Sequence, residues 1–249
     1  MNQKEKILIY GRNAVEETLD IKPASIREIF LYDGAEESFQ KRIRAIASKH
    51  SIRVSGASKS FMTKKLGDVV HQGVMAVLDM EIVNFGDWYE KAKEGERKDP
   101  IVIIDSLEDV GNVGAIVRSA AAFGIKNIFL EKKKDISGFI SRIFKSSAGQ
   151  VNRQNIVFIG NTNETLRKLK DIGYWSVALD MDGETKLSEM TFDMPTVFVV
   201  GKEGEGVPPK TMEICDFRVK IPMKGGVESL NASVSIGIAF YEWSLDNLK

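Results

Sequence analysis

The sequence has little of what disulfide frameworks and metal centres are made from. Its 249 residues include one cysteine, Cys215, and two histidines, His50 and His71. A single cysteine excludes an internal disulfide and a multi-cysteine metal site, and two isolated histidines do not make a histidine-rich one. We therefore expect no metal at the functional site and a reducing compartment, the cytoplasm, as its location.

Long apolar runs and an excess of either charge are also missing. No run approaches the roughly 20 residues of a membrane span. The charged start, MNQKEKILIYGR, lacks the apolar core of a signal peptide. The 35 Lys and Arg residues balance 35 Asp and Glu residues. We expect no membrane partner, and a nucleic-acid partner would have to be met by a local basic face.

Apolar strands and helical segments alternate along most of the chain. Residues 1–80 predict a small α/β domain. Residues 81–100 lose the strand pattern, are charged and end at Pro100, which predicts a linker with a short helix around Trp88 to Lys93. Residues 101–249 contain about six strands that are apolar throughout, as in a parallel sheet covered on both faces. The prediction is an α/β protein with two domains.

The run from Thr196 to Phe240 carries the strongest functional signal. The apolar strand TVFVV leads into the glycine-rich loop Gly201–Gly206, and a second strand ends at Ile221. A third loop leads into a helix that we predict to begin near Ser229 or Asn231. Polar side chains and bare backbone thus gather at strand ends, which is where open α/β sheets place their ligands.

The glycine spacing argues against a dinucleotide-binding oxidoreductase. The loop reads G-x-x-G-x-G rather than G-x-G-x-x-G, and Pro208 and Pro209 interrupt the chain where a helix would have to follow. The loop therefore has to be read together with the polar segments that accompany it.

Three segments together resemble the SpoU (TrmH-like) family of RNA ribose 2′-O-methyltransferases, in the SPOUT superfamily. They are NVGAIVRSA from Asn112, GKEGEGV from Gly201 and IPMKGGVESLNAS from Ile221, in the order that the family has. The resemblance covers essentially the whole chain. In addition, GRNAVEETL and HQGVMAVL resemble the L30e-like substrate-binding domain that precedes the catalytic domain in many of these enzymes.

This resemblance implies a fold, a cofactor and a partner. The C-terminal domain would be threaded as a trefoil knot, and the N-terminal domain would bind RNA. The cofactor would be S-adenosylmethionine. The substrate would be a guanosine of 23S ribosomal RNA, because the family's tRNA guanosine enzymes commonly lack the N-terminal domain. Two alternatives stay open: a tRNA 2′-O-methyltransferase of the same family, and an RNA-binding protein of this fold that has lost catalysis.

The resemblance also implies which residues form the site. The catalytic set would be Asn112, Arg118, Glu203, Ser229 and Asn231. The cofactor would be bound at Gly201, Gly204, Ile221, Met223 and Leu230, with backbone groups of Gly201, Ile221 and Leu230 making the hydrogen bonds.

Arg118 occupies the position of the family's central catalytic arginine. A guanidinium is effectively never deprotonated in a protein, so it is a poor general base, but it is an excellent bidentate phosphate ligand. We predict a loop that contains Asn112 and Gly114, followed by a helix from Ala115 to Phe123. We therefore expect Arg118, near the start of that helix, to hold a substrate phosphate and favour the ribose oxyanion. Glu203 would orient Arg118 or Asn112.

Ser229 and Asn231 are both good helix caps. We expect one of them to cap the terminal helix and the other to bind Glu203, Asn112 or the cofactor.

Two further features bear on partners. Between the first two motifs lies a basic stretch that is either a solvated loop or a phosphate-binding surface, made of Lys126, Lys132, Lys133, Lys134, Arg142, Lys145 and Arg153. The terminal helix carries one apolar stripe, formed by Ile236, Ala239, Phe240 and Trp243. It also carries Ile238 and Tyr241 off that stripe, and family members are homodimers. We expect a homodimer through this helix, unless Ile238 and Tyr241 pack within one chain.

Overall fold

The computed structural model describes residues 3–95, 98–225 and 229–247, which form a mixed α/β protein. The described residues contain eleven strands: β1 (Gln3–Tyr10), β2 (Ile26–Tyr32), β3 (Arg53–Ala57), β4 (Val74–Asn84), β5 (Ile101–Ile104), β6 (Asn127–Glu131), β7 (Asn155–Ile159), β8 (Trp175–Leu179), β9 (Thr185–Lys186), β10 (Thr196–Val200) and β11 (Phe217–Lys220). They also contain nine α-helices: α1 (Arg12–Ile21), α2 (Glu37–Lys49), α3 (Lys59–Leu66), α4 (Phe85–Glu94), α5 (Val110–Ala122), α6 (Ile136–Ser146), α7 (Thr162–Asp171), α8 (Pro209–Met212) and α9 (Ala232–Asn247).

The chain divides into two compact units. The N-terminal unit comprises residues 3–82 together with Lys133–Arg153. Its sheet has the order β3-β2-β4-β1, in which β4 pairs antiparallel with β1 and β2, and β2 pairs parallel with β3. Apolar side chains of the strands and of α1 and α2 form its core, among them Ile7, Leu19, Ile29 and Ile43, all fully buried.

Residues 133–153 depart from the predicted domain boundary, because they fold with the N-terminal unit. Helix α6 packs on β1, where the Ser141 hydroxyl donates to the carbonyl of Leu8. Beyond the helix, Asn152 Nδ2 donates to Thr18 Oγ1 at 2.8 Å. The reason is that α6 is strongly amphipathic, and the apolar face that holds Phe139 and Phe144 requires a partner. The sequence pattern shows that face but not which sheet covers it.

The short helix predicted around Trp88 to Lys93 is confirmed and is longer than expected, because α4 spans Phe85–Glu94. Strand β4 continues to Asn84, whose side chain caps α4 by accepting the N–H of Asp87 at 3.0 Å. Trp88 on α4 packs edge-on against Phe129, with ring centroids 4.9 Å apart. The many charged residues of this stretch lie on the exposed side of α4. They make the sequence resemble a linker, although the other side of the helix carries packed aromatic residues. Residues 96 and 97 of the predicted linker lie outside the described residues.

The C-terminal unit, residues 83–132 and from Gln154 onward, holds the predicted parallel sheet. Its strand order is β7-β6-β5-β10-β8-β11-β9, every pair is parallel, and Val83 and Asn84 at the end of β4 add to the β7 edge. The six predicted strands are present, and the two-residue β9 was not predicted. Because the strands are parallel, the loops after β5, β8, β10 and β11 emerge at one edge of the sheet. Among the described residues, no helix is long and apolar enough to cross a bilayer.

Candidate functional site

The first motif lies on a helix rather than in the predicted loop. Helix α5 begins at Val110, because the Asp109 carboxylate caps it and accepts the N–H groups of Gly111 at 2.5 Å and Asn112 at 3.1 Å. Asn112 therefore lies in the first helical turn. Arg118 lies in the third, so the expectation that it stands near the helix start is wrong. The glycines of this segment had indicated a loop.

The second motif is a tight hairpin that presents one carboxylate. Lys202 and Gly206 exchange backbone hydrogen bonds of 3.0 and 2.8 Å. A Cβ on Gly201 would lie 1.9 Å from the carbonyl oxygen of Gly206, so no side chain fits at this position. Gly204 has φ of 79°, a conformation that glycine adopts without strain. The hairpin closes on itself and leaves the Glu203 side chain exposed at its tip.

The third motif joins the first two through Asn231. Its Nδ2 donates to Glu203 Oε1 at 2.9 Å and to Asn112 Oδ1 at 3.0 Å. Asn112 Nδ2 in turn donates to Glu203 Oε2 at 3.0 Å. One side chain from each of the three motifs thus forms a closed hydrogen-bonded triangle. The predicted contact between Glu203 and Asn112 is present.

Asn231 also caps the terminal helix. Its Oδ1 accepts the N–H of Ser233 at 2.9 Å, and α9 begins at the next residue, Ala232. The expectation that at least one of Ser229 and Asn231 caps this helix is confirmed for Asn231, but the contacts to Glu203 and Asn112 belong to the same residue rather than to the other one. Asn231 does both, because the two ends of an amide side chain can accept and donate at once. Ser229 is exposed, and Gly226, Val227 and Glu228 of this motif lie outside the described residues.

A cavity of about 220 Å³ opens beside this triangle at the strand ends. It is lined by Leu179, Asp180, Met181, Val200, Gly201, Lys202, Glu203, Gly204, Glu205, Gly206, Val207, Met212, Val219, Ile221, Met223, Ser229, Leu230, Ala232 and Ser235. The lining contains all five residues expected to bind the cofactor, together with Glu203 and Ser229. Asn112, Asn231 and Arg118 are not part of it. The cavity combines aliphatic walls with exposed loop backbone, which suits a ligand that has a flat apolar part and a polar part.

Charges around the cavity are mostly paired. Asp180 accepts from Arg218 Nε at 3.0 Å, and Lys202 lies 2.8 Å from Glu205. The hydrogen bond that Lys202 donates to the Glu205 carboxylate raises the pKa of Lys202. Glu203 differs, because its described partners are two neutral amides, which orient a carboxylate without cancelling its charge. Glu203 therefore supplies the one uncompensated charge among the described ionisable side chains of the lining.

Arg118 stands apart from these groups. Its side chain is exposed on α5 and makes no hydrogen bond or ion pair with any residue that the structure describes. The expected contact between Glu203 and Arg118 is therefore not found among them. A guanidinium with no protein partner keeps all its donors for a ligand.

The sequence reasoning missed Asp180 and its partner Arg218. Asp180 directly follows the apolar strand β8, and a polar residue at such a strand end was the available signal. Neither residue belongs to a recognised motif. Cys215 contributes no nucleophile, because burial raises the pKa of its thiol to about 12. No group of three or more potential metal ligands occurs among the described residues.

Comparisons with known proteins agree with this geometry. Residues 99–241 match the model of the SpoU rRNA Methylase family, and residues 8–82 match a model described as RNA 2′-O ribose methyltransferase substrate binding. A protein of Staphylococcus haemolyticus named as a TrmH family tRNA/rRNA methyltransferase is 33% identical over 239 residues, which are 96% of this chain and 95% of that protein.

Solved structures are similar over nearly the whole chain. One is an RNA methyltransferase of the TrmH family from Porphyromonas gingivalis, with a TM-score of 0.72, 26% identity, and coverage of 96% of this chain and 89% of that one. Another is the SpoU methyltransferase AviRb from Streptomyces viridochromogenes in complex with AdoMet, with a TM-score of 0.75, 19% identity, and coverage of 98% and 91%. The second likeness concerns the fold alone.

Proposed function

The chain belongs to the SpoU rRNA methylase family, and from this premise we propose that it methylates the 2′-hydroxyl of a ribose in RNA. Membership makes it an RNA methyltransferase whose methyl donor is S-adenosylmethionine. The observation that carries the proposal is the triangle of Asn112, Glu203 and Asn231 beside the cavity. The three family motifs, far apart in sequence, converge there on one site.

The ribose 2′-oxygen as methyl acceptor is supported by the N-terminal match. Residues 8–82 match a substrate-binding model that is described by this reaction. We propose a guanosine of 23S ribosomal RNA as the first candidate substrate, because a separate substrate-binding region precedes the methylase region. A tRNA is the second candidate, because the relative from Staphylococcus haemolyticus is named for both RNA classes. A protein without catalysis is disfavoured by the intact, hydrogen-bonded set of motif side chains.

The cavity fits the methyl donor. Ile221 and Leu230 offer aliphatic surface for an adenine ring, and Gly201 belongs to the same lining. Met223 and Gly204 complete this part of the lining. S-adenosylmethionine, when bound, supplies a methyl group that its positive sulfonium already activates. The protein therefore has no need of a nucleophile or a metal ion, and its residues have to bind, orient and exclude water.

Arg118 is proposed to hold the substrate RNA. Its exposed guanidinium can grip a phosphate with two parallel hydrogen bonds and stabilise negative charge that develops on the neighbouring 2′-oxygen. Asn112 and Asn231 fix the carboxylate of Glu203 at the cavity edge, so that it is oriented before any ligand arrives. Holding donor and acceptor in line can contribute roughly 7–11 kcal/mol to the acceleration.

The assembly is proposed to be a homodimer through α9. The stripe of Ile236, Ala239, Phe240 and Trp243 is buried, so these side chains are used within the chain. Tyr241 touches Phe123 of α5 edge-on at 5.9 Å but remains 49% exposed, and Val234 is 50% exposed. These side chains lie along a groove between α5 and α9 that a second copy could cover.

Three finer features are proposed on family membership. They are the trefoil knot in the C-terminal unit, the L30e-like character of the N-terminal unit and a cytoplasmic location.

Mapping ribose methylation across total RNA from a deletion strain and its parent tests the substrate and the reaction together. We expect one ribosomal position to lose its 2′-O-methyl group in the deletion strain, and a plasmid copy of the gene to restore it. A lost position in tRNA would favour the second candidate. An unchanged ribose methylation map would contradict the proposal.

A further inference from the structure

The positive charge of the protein is concentrated in one unit. The N-terminal unit, with residues 133–153 included, has 18 Lys or Arg against 12 Asp or Glu, a formal charge of +6. The C-terminal unit has 17 Lys or Arg against 23 Asp or Glu, a formal charge of −6. A net charge of zero for the chain thus conceals a polarised molecule. We expect a polyanion to be attracted more strongly to the N-terminal unit than to the C-terminal unit.

Most of the net positive charge of the N-terminal unit comes from residues 133–153, which fold with it. Residues 133–153 contain five basic residues and one acidic residue. Arg153 is paired with Glu17 at 2.8 Å, and the acidic residue, Asp135, caps α6 by accepting the N–H of Gly138. The remaining four define what we call the α6 basic face: Lys133, Lys134, Arg142 and Lys145.

The α6 basic face differs from several arginines of the unit in having no carboxylate partner among the described residues. Elsewhere in the unit, Arg12, Arg27, Arg42 and Arg53 pair with acidic side chains. Among the described residues, no carboxylate pairs with any of the four members of the α6 basic face. Their charge is therefore left for a ligand, whereas the charge of the paired arginines is partly cancelled.

Arg142 is exposed on α6 and Lys145 is partly exposed on the same helix, while Lys133 and Lys134 directly precede its first turn. Arg142 and Lys145 are three residues apart on the helix, so they project from neighbouring positions on one face. The ammonium of Lys133 lies 5.8 Å from the ring centroid of Phe139, which holds Lys133 against the first turns of the helix. Lys145 reaches Gln72 Oε1 at 2.6 Å. The face thus extends from the start of α6 to the loop before β4.

Lys145 has no anionic partner among the described residues. Its partner Gln72 is neutral, and burial lowers the pKa of Lys145. A phosphate oxygen at this place would offset the loss of water around the ammonium.

We propose that the α6 basic face is the phosphate-binding surface through which the N-terminal unit holds RNA. It lies in the stretch of sequence that matches the methylase family model, outside residues 8–82, which match the substrate-binding model. The proposal rests on the proposed function only for the choice of RNA as the partner. The contacts are to phosphates, which position an RNA without reading its sequence.

The test is the salt dependence of RNA binding by the full-length protein. The probe is a fluorescein-labelled RNA hairpin, titrated by anisotropy at several potassium chloride concentrations. Each phosphate contact contributes about 0.7–0.9 to the slope of log K against log salt. The triple variant Lys133→Ala, Lys134→Ala, Arg142→Ala should therefore lower the magnitude of the slope by about 2–3.

A matched control removes the same charge from paired positions of the same unit. The variant Arg27→Ala, Lys41→Ala, Arg53→Ala takes away three cations that pair with Asp79, Glu37 and Glu28. We expect its slope to stay within about one contact of the wild type. Binding of S-adenosylhomocysteine by calorimetry should be unchanged in both variants, which shows that the C-terminal unit is intact, and wild-type circular dichroism and thermal unfolding show that the N-terminal unit is folded.

Two outcomes overturn the proposal. One is a salt-dependence slope of the α6 variant that equals the slope of the wild type. This holds even if the variant binds an acidic protein less tightly than the wild type does. The other is an equal decrease in the control, which would mean that net charge alone matters. A protein that shows the predicted slopes but transfers no methyl group to any RNA would overturn the proposed function and leave this surface intact.

Discussion

The role of Arg118 can be tested directly by substitution. The residue has no partner among the described residues and lies outside the cavity lining, so its loss should leave the rest of the site in place. Arg118→Ala should lower methyl transfer by about 10²–10³-fold, as expected for a positioned electrostatic donor. Affinity for S-adenosylhomocysteine should be almost unchanged. Arg118→Lys should also be poor, since an ammonium cannot make the bidentate phosphate contact. Radiolabelled methyl transfer and calorimetry measure the two effects, and full turnover by a folded Arg118→Ala protein would refute the assignment.

Glu203 should distinguish the charged donor from the neutral thioether product. Among the described residues its carboxylate is held by two neutral amides alone, so its charge acts on whatever occupies the cavity. S-adenosylmethionine carries a sulfonium charge that S-adenosylhomocysteine lacks. A single charge interaction in a wet site is worth about 1 kcal/mol, or about fivefold in affinity. Glu203→Gln should weaken binding of the donor by about that factor and weaken binding of the product less.

Glu205 provides the control for this measurement. It lines the same cavity but is ion-paired with Lys202, so Glu205→Gln should change the two affinities by similar factors. Calorimetric titrations of both ligands into both variants decide the matter. An equal loss for donor and product in Glu203→Gln would mean that this carboxylate only shapes the site.

At the start of α9, the side chain of Asn231 both caps the helix and completes the hydrogen-bonded triangle with Asn112 and Glu203. Asn231→Asp keeps the acceptor that caps Ser233 but removes the Nδ2 donor and places a second carboxylate beside Glu203. We expect thermal stability close to that of the wild type and a loss of methyl transfer of about 10²-fold. Asn231→Ala should in addition lower the free energy of unfolding by about 1 kcal/mol. Normal activity of Asn231→Asp would show that the triangle is not needed.

Element types were largely readable from the sequence, and element boundaries were not. The apolar runs that became β5, β6, β7, β8, β10 and β11 were predicted, because strands covered on both faces read as continuous apolar segments. The start of α5 was missed because Gly111 and Gly114 resemble a loop, whereas Asp109 supplies a cap that carries the helix past them. A single capping side chain outweighed the glycine signal.

The candidate site could be predicted as a set of residues but not as an arrangement. The motifs named Asn112, Glu203 and Asn231, yet only the fold shows that they bond one another and that Arg118 does not join them. The place of residues 133–153 could not be predicted either. An amphipathic pattern specifies that α6 needs an apolar partner and leaves the choice of β1 to the tertiary fold.

For the whole molecule, the packing of residues 133–153 with the N-terminal unit determines how a truncated protein should behave in solution. Removing residues 1–80 deletes β1 and α1, on which α6 packs, and so uncovers Phe139, Ile140, Ile143 and Phe144. We expect the fragment 81–249 to aggregate, whereas a fragment in which residues 133–153 are also replaced by a Gly/Ser linker of about a dozen residues should be better behaved. Size-exclusion chromatography compares the two. A monodisperse 81–249 fragment that binds S-adenosylhomocysteine would contradict this account of α6.

Assembly is tested by sedimentation at micromolar concentration. The groove between α5 and α9 should pair two copies, and a stable interface of this kind buries roughly 1,200 Å² or more in total. Val234→Glu and Tyr241→Glu place charges in that groove and should shift the protein toward the monomer mass of 27.7 kDa. Leu245→Glu, outside the groove lining but equally exposed, serves as the control. A wild-type monomer that is fully active would end the dimer proposal.

The central claim is that this protein transfers a methyl group from S-adenosylmethionine to a ribose 2′-oxygen of RNA. The most direct measurement incubates the purified protein with ribosomal RNA from the deletion strain and a deuterated methyl donor, followed by digestion to nucleosides and mass spectrometry. The account predicts a deuterium-labelled 2′-O-methylated nucleoside, with guanosine expected, that disappears with Arg118→Ala. A label found on a base instead of a ribose, or no label in either ribosomal RNA or tRNA, would contradict it.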